Sequence, residues 1–161
     1  MDHTLILEPL TPRGFAPFGD VFDLRPEVGL YRNITRLENL RPAASADLIV
    51  LTVAESRLPL QITAMEIHLH SSQTFIPIKA SRTPVVVAPK DVDGMPDVTA
   101  ARAFMANDRQ GFTLKPGTWH GQLTALDQVS SFAVLMWGDG SSEDGIVSPL
   151  SRSMRIIDSV N

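Results

Sequence analysis

Apolar positions in this chain come in short runs bounded by proline and glycine, and no long stretch repeats with helical period. The 12 prolines and 10 glycines are spread as punctuation, cutting the chain into segments of strand length. The pattern predicts strands at Thr4–Leu7, Leu48–Val53, Leu60–His68, Phe75–Ile78 and Pro84–Pro89, then at Phe112–Leu114, Trp119–Leu123 and Val129–Trp137, with a last one at Met154–Ile157. In Leu60–His68 the residues Ile62, Ala64, Glu66 and His68 would share one face. Ala100–Ala106 has helical propensity but strand length, and is read as a strand. Thr11 before Pro12 marks the start of one short helix. Pro89–Pro96 and Gly138–Gly145 are loops.

About eight short strands without a repeat or linker predict one all-β domain over residues 1–161, a closed barrel or jelly roll with one or two short helices. The balance of 43% apolar and 20% charged residues in a chain of 161 suits a folded globule. With 14 Lys and Arg against 18 Asp and Glu the net charge is −4, and no basic run supplies the footprint nucleic acid needs. A small anion remains possible, because one or two arginines in a cleft outweigh net charge locally. There is no cysteine, so any metal must rest on imidazole, carboxylate or amide oxygen. The N-terminus lacks the basic start of a signal peptide and no apolar run approaches the roughly 20 residues of a membrane span. A cytoplasmic protein without membrane contact is expected.

Two features carry chemistry. In Glu66-Ile67-His68-Leu69-His70, alternate residues on a strand project from one face, so two imidazoles and a carboxylate would line one wall. For an isolated pair of this kind a solvated sheet face is the commoner meaning. Lys115-Pro116-Gly117-Thr118-Trp119-His120 is a turn that delivers a histidine onto the next strand, and the two together point to a site. Two spaced imidazoles with a third ligand from a neighbouring strand make an open metal site, with His68, His70 and His120 as the candidate donors. An imidazole pKa near 6.5 equally suits proton transfer, with Glu66 as orienting group or base.

A histidine pair followed some fifty residues later by a Pro-Gly-x-x-His turn resembles the paired motifs of cupin barrels, which implies a double-stranded β-helix. A narrower resemblance rests on Phe15-Ala16-Pro17-Phe18-Gly19-Asp20-Val21, Glu66 with His68, Gln73-Thr74-Phe75-Ile76-Pro77, Arg102-Ala103-Phe104, Gln110-Gly111 and Trp119-His120. In that order these are similar to the ureidoglycolate lyases of allantoin catabolism. The resemblance implies a homodimer that splits ureidoglycolate into glyoxylate and urea in purine nitrogen breakdown, with a divalent metal such as nickel, manganese or zinc.

Carried onto this chain, the resemblance makes Glu66, His68 and His120 catalytic and gives Arg36, Gln73, Lys79 and Arg102 to the small carboxylate substrate. A surface role is an equal reading for Arg36 and the stronger one for Lys79 and Arg102. The pattern departs from both families in places. Gln73 and Thr74 stand where cupins carry glutamate, so the resemblance would have Gln73 give the metal an amide oxygen instead; Gly121-Gln122 replaces a His-Pro, and His70 stands where the lyases have an apolar residue. The loop Met136–Asp144 keeps its Gly-Ser character with different charges. The alternatives are a metal-dependent isomerase or dioxygenase on another small acid, and a non-catalytic binding module that would have no need of Glu66, His68 and His120.

Overall fold

The computed structural model describes residues 3–25 and 27–159. In chain order the elements are β1 (His3–Pro9), α1 (Pro12–Phe15), β2 (Gly19–Asp23), β3 (Ser45–Val53), β4 (Glu55–Ser56), β5 (Leu60–Ile67), β6 (Gln73–Lys79) and β7 (Thr83–Ala88). A 3₁₀ turn (Val98–Ala100) leads to β8 (Arg102–Ala106), β9 (Gln110–Leu114), β10 (Trp119–His120), β11 (Ala125–Leu126), β12 (Ser130–Gly138) and β13 (Ile146–Ile157). The all-β expectation holds, and Arg102–Ala106 is a strand. Thr11 caps α1 by accepting from Gly14 N at 3.1 Å, which starts the one α-helix among the described residues, a single turn.

Six strands close into a barrel in the order β1-β13-β5-β10-β7-β8, with β8 returning to β1 through Leu7 opposite Ala103. A five-stranded sheet, β2-β9-β6-β12-β3, lies beside it, and β4 pairs with β11. Two apolar cores follow from this. Inside the barrel, Leu7, Ile62, Met65, Ile67, Val86, Ala103, Trp119 and Met154 pack together. Between barrel wall and sheet, Phe15, Val85, Val87 and Phe104 meet Phe75, Phe112, Phe132 and Val134.

Two details depart from the sequence pattern. Ile62 packs in the barrel interior with Met65 and Ile67, at the point where β13 shifts register against β5 between Pro149 and Met154. A regular period of two would have placed Ile62 beside Glu66. Pro77 sits in the middle of the five-stranded sheet, where a register shift opposite Ser131 and Phe132 accommodates its missing N–H.

Candidate active site

The site lies where β10 joins the barrel wall. His120 pairs with Glu66 of β5 on one side and with Val87 of β7 on the other. Laterally paired residues project to the same face. Val87 belongs to the core between wall and sheet, so Glu66 and His120 face the five-stranded sheet. Gln73, on the same side of β6 as Phe75, faces back toward them.

Glu66, His68 and His120 bring one ligand atom each to within 4.8 Å of the others. The two imidazoles stack with centroids 5.4 Å apart and planes at 19°. Glu66 Oε1 lies 3.9 Å from His68 Nε2. Both imidazoles are buried, and Nδ1 of each faces a backbone carbonyl: Asp144 O at 2.5 Å from His68 and Gly121 O at 3.1 Å from His120. A carbonyl only accepts, so Nδ1 of each ring carries a proton, and in the neutral ring this leaves the lone pair on Nε2. Among the described residues neither Nε2 has a hydrogen-bond partner, and neither does the buried Oε1 of Gln73.

Burial first, and then the charge of neighbouring His68, push the His120 pKa down to about 4, against a smaller upward pull from the Gly121 carbonyl. His120 is therefore neutral at pH 7. That corrects the expectation of an imidazole titrating near neutrality, and suits a lone-pair donor better than a proton carrier.

His70 is not brought into this cluster. The strand ends at Ile67 and the chain bends at Leu69 and His70, so the alternation that would have put three side chains on one wall stops after His68. His70 instead turns its Nε2 to Glu143 at 2.9 Å. Arg102 is also committed elsewhere. Its guanidinium forks onto Glu8 at 2.7 and 3.2 Å, donates to the Gly14 carbonyl at 2.8 Å and stacks over Phe104, tying β1 and α1 to β8. Lys79 is exposed and lies six residues along β6 from Gln73, roughly 20 Å away at strand rise.

Arg36 is exposed, its guanidinium without an ion-pair or hydrogen-bond partner among the described residues. It lines a 130 Å³ polar pocket with Asp20, Glu38, Thr113 and Lys115. This pocket adjoins the Lys115–His120 turn, whose Gly117 N–H donates to the His68 carbonyl at 2.8 Å. A second groove, of 410 Å³, runs along β5 between Gln61 and Glu66 and is bordered by Gln122, Thr124 and Val147. Of the three clustered groups, Glu66 is the one that lines it.

The loop between β12 and β13 covers the cluster. A Cβ on Gly145 would stand 2.6 Å from Glu66 Oε1 and 3.4 Å from His68 Cε1, so only glycine lets the chain pass so close. Arg41 grips this loop, pairing with Asp139 at 2.8 Å and with Asp144. Nothing local in the sequence marks Arg41, since its partners lie about a hundred residues away. The acids of the loop were visible in the sequence only as a departure from the family pattern.

The chain is thus of the all-β class, with a barrel wall that gathers two buried imidazoles and a carboxylate around one space. The ureidoglycolate lyase family model matches residues 2–149, and the chain belongs to that family. A ureidoglycolate lyase of Burkholderia cepacia is 40% identical over 141 residues, covering 81% of this chain and 78% of its own. One of Pseudomonas syringae pv. syringae is 33% identical over 150 residues, covering 87% of each. One of Pseudomonas paraeruginosa is 32% identical over 142 residues, covering 83% of each. Among solved structures, a 3,4-ketoisomerase from Helicobacter canadensis has a TM-score of 0.46 at 12% identity, covering 79% of this chain and 88% of its own.

Proposed function

We propose that this chain is a cytoplasmic lyase that splits ureidoglycolate into glyoxylate and urea in allantoin breakdown, with Glu66, His68 and His120 at its centre. The observation that carries the reading is the pair of buried Nε2 atoms without protein partners beside the Glu66 carboxylate, in a chain whose relatives are named for this activity. A buried polar atom left unpaired costs about 1–3 kcal/mol, and a ligand in the site offsets that cost.

The reaction breaks the bond between the carbinol carbon and the ureido nitrogen. The hydroxyl loses its proton as the carbonyl forms, and the departing nitrogen gains one. Glu66 lines the groove and accepts the hydroxyl proton through its carboxylate. Glu66, once protonated, returns the proton to the urea nitrogen, so the cycle consumes no water. Gln73 Oε1 accepts an N–H of the ureido group. Arg36, with a fork free of protein acids, takes the substrate carboxylate; Arg102, already engaged with Glu8 and Gly14, does not.

The donor set also fits a divalent cation such as nickel, manganese or zinc. Two imidazoles with Nδ1–H bound to carbonyls and Nε2 turned away from them are arranged as metal-ligating histidines are, and His68 and His120 would hold the ion, with Glu66 alongside. Such an ion, when bound, polarises the carbinol oxygen and lowers the cost of its deprotonation.

A homodimer forms part of the proposal. The outer face of the five-stranded sheet exposes Leu48, Val50 and Ile78, each 60% or more accessible, on and beside the long edge strand β3. A second copy would cover this face. Light scattering should give twice the chain mass, falling to one chain in Leu48→Lys with Val50→Glu; a monomeric parent protein would refute the dimer.

Urea and glyoxylate release from ureidoglycolate, corrected for spontaneous decay and repeated with chelator and with each metal, tests the activity. Release above background should fall about 10²- to 10⁴-fold in Glu66→Gln, the range for loss of a general base. No release under any metal condition would reject the substrate and favour another small acid.

A further inference from the structure

We infer that Arg41 is a positioning residue: acting through Asp144, it holds the backbone carbonyl that fixes the tautomer of His68. The role in catalysis rests on the reading above, while the tautomer itself is a property of the protein alone.

The chain of contacts begins at the imidazole. His68 Nδ1 lies 2.5 Å from the Asp144 carbonyl, and that contact, shorter than the 3.9 Å from Nε2 to Glu66 Oε1, favours the proton on Nδ1. The same residue's carboxylate is held by Arg41 Nη2, by Asp139 N at 3.1 Å and by Gly140 N at 2.8 Å. The other arm of the guanidinium takes Asp139 at 2.8 Å and Ser141 Oγ at 3.1 Å. A single fork thus fixes both ends of the turn that ends in Asp144.

Arg41 is itself fixed to the segment that bears His68. Leu40 N donates to the His70 carbonyl at 2.8 Å, Asn39 bridges Ser71, and Arg41 O accepts from Ala44 N at 2.9 Å. Its guanidinium is mostly buried, with 16% side-chain exposure. Within the loop, Ser141 N donates to Asp139 Oδ1 at 3.0 Å and Asp144 N to the Ser141 carbonyl at 3.2 Å, bonds that hold its shape but do not attach it to the strand bearing His68. The loop contains Gly140, at φ +82°, and Gly145, so its backbone can move relative to that strand once the fork is removed. The other side-chain tether from outside the loop, His70 to Glu143, is exposed and holds the neighbouring residue's side chain.

His120 is the built-in control. Its Nδ1 faces the carbonyl of the adjacent Gly121, which the loop does not hold. Loss of Arg41 should release one imidazole and leave the other as it was.

The test is nitrogen-15 NMR of the imidazoles in the metal-free protein, for the parent chain and for Arg41→Met, Arg41→Lys and Asp144→Asn, alongside urea release. The parent His68 should show Nδ1 protonated and Nε2 bare. Arg41→Met should give a mixture of tautomers at His68 with His120 unchanged, and kcat should fall about 10- to 100-fold, the range for loss of a group that orients a ligating histidine. Arg41→Lys keeps the charge without the fork and should recover part of both. A folded Arg41→Met with the parent tautomer at His68 would overturn the inference. Should Arg41→Met not fold, Asp144→Asn decides, since it weakens the same grip while leaving the backbone carbonyl in place; an unchanged tautomer there also overturns it. Absence of lyase activity in the parent protein would remove the proposed function and leave the NMR result to decide the positioning role.

Discussion

Lowering the pH from 8 to 5 should destabilise this protein through His120 in particular. The imidazole has a pKa of about 4 in the folded chain because it is buried beside His68, against an unfolded value near 6.5. Below 6.5 the unfolded chain therefore binds a proton that the folded chain refuses, and stability must fall as pH falls. The contribution is fully present above the unfolded pKa and is lost progressively down to the folded one. Between pH 6.5 and pH 5 the loss comes to roughly 2 kcal/mol, because one proton taken up by the unfolded chain alone is worth about 1.36 kcal/mol for each step of one in pH. For a domain of this size that is about 4–8 °C in melting temperature. Thermal and urea unfolding would be followed at pH 8, 6.5 and 5 with chelator present, for the parent chain and for His120→Gln. The variant should lose about 2 kcal/mol less than the parent between pH 8 and 5, whatever its absolute stability. Equal losses in the two proteins would refute the assignment of a buried, neutral His120.

Three further outcomes follow from the packing of the site and core. Gly145→Ala places a methyl 2.6 Å from Glu66 Oε1; urea release should drop at least tenfold while circular dichroism and the melting temperature change little. Gln73→Met removes a buried oxygen that has no partner, so unfolding in urea should show the ligand-free protein gaining roughly 1 kcal/mol, with KM for ureidoglycolate raised. Phe104→Ala deletes a fully buried ring packed edge-on against Phe15 and should cost about 3–5 kcal/mol by denaturant unfolding.

Local pattern revealed most of the strands because proline or glycine borders many of them, but it missed β2 (Gly19–Asp23) and the first half of β13. It misplaced Ile62, which lies where β13, about ninety residues away in sequence, shifts register against β5. His68 and His120 were legible as candidates because each sits in a short motif with its own geometry, alternation in one case and a Pro-Gly turn in the other. His70 looked equivalent to His68 in that motif, but strand pairing stops at Ile67 and the next residues bend. The short strands β4 and β11 were invisible for a related reason: each is two residues long and exists through its partner. Arg41 and Asp144 could not be paired from sequence, because nothing local joins an arginine before a proline to an acid in a distant glycine-rich loop. Arg102 was legible as an arginine on a strand, whereas its engagement by Glu8 and Gly14 required the barrel to close β8 onto β1.

The most direct test of the central claim is the rate of urea release from ureidoglycolate by His120→Ala compared with the parent chain, with both proteins shown to be folded. Loss of release to the spontaneous background in the variant, against clear turnover in the parent, is the predicted result. Undiminished turnover in a folded His120→Ala would contradict the assignment of the reaction to the cluster of Glu66, His68 and His120.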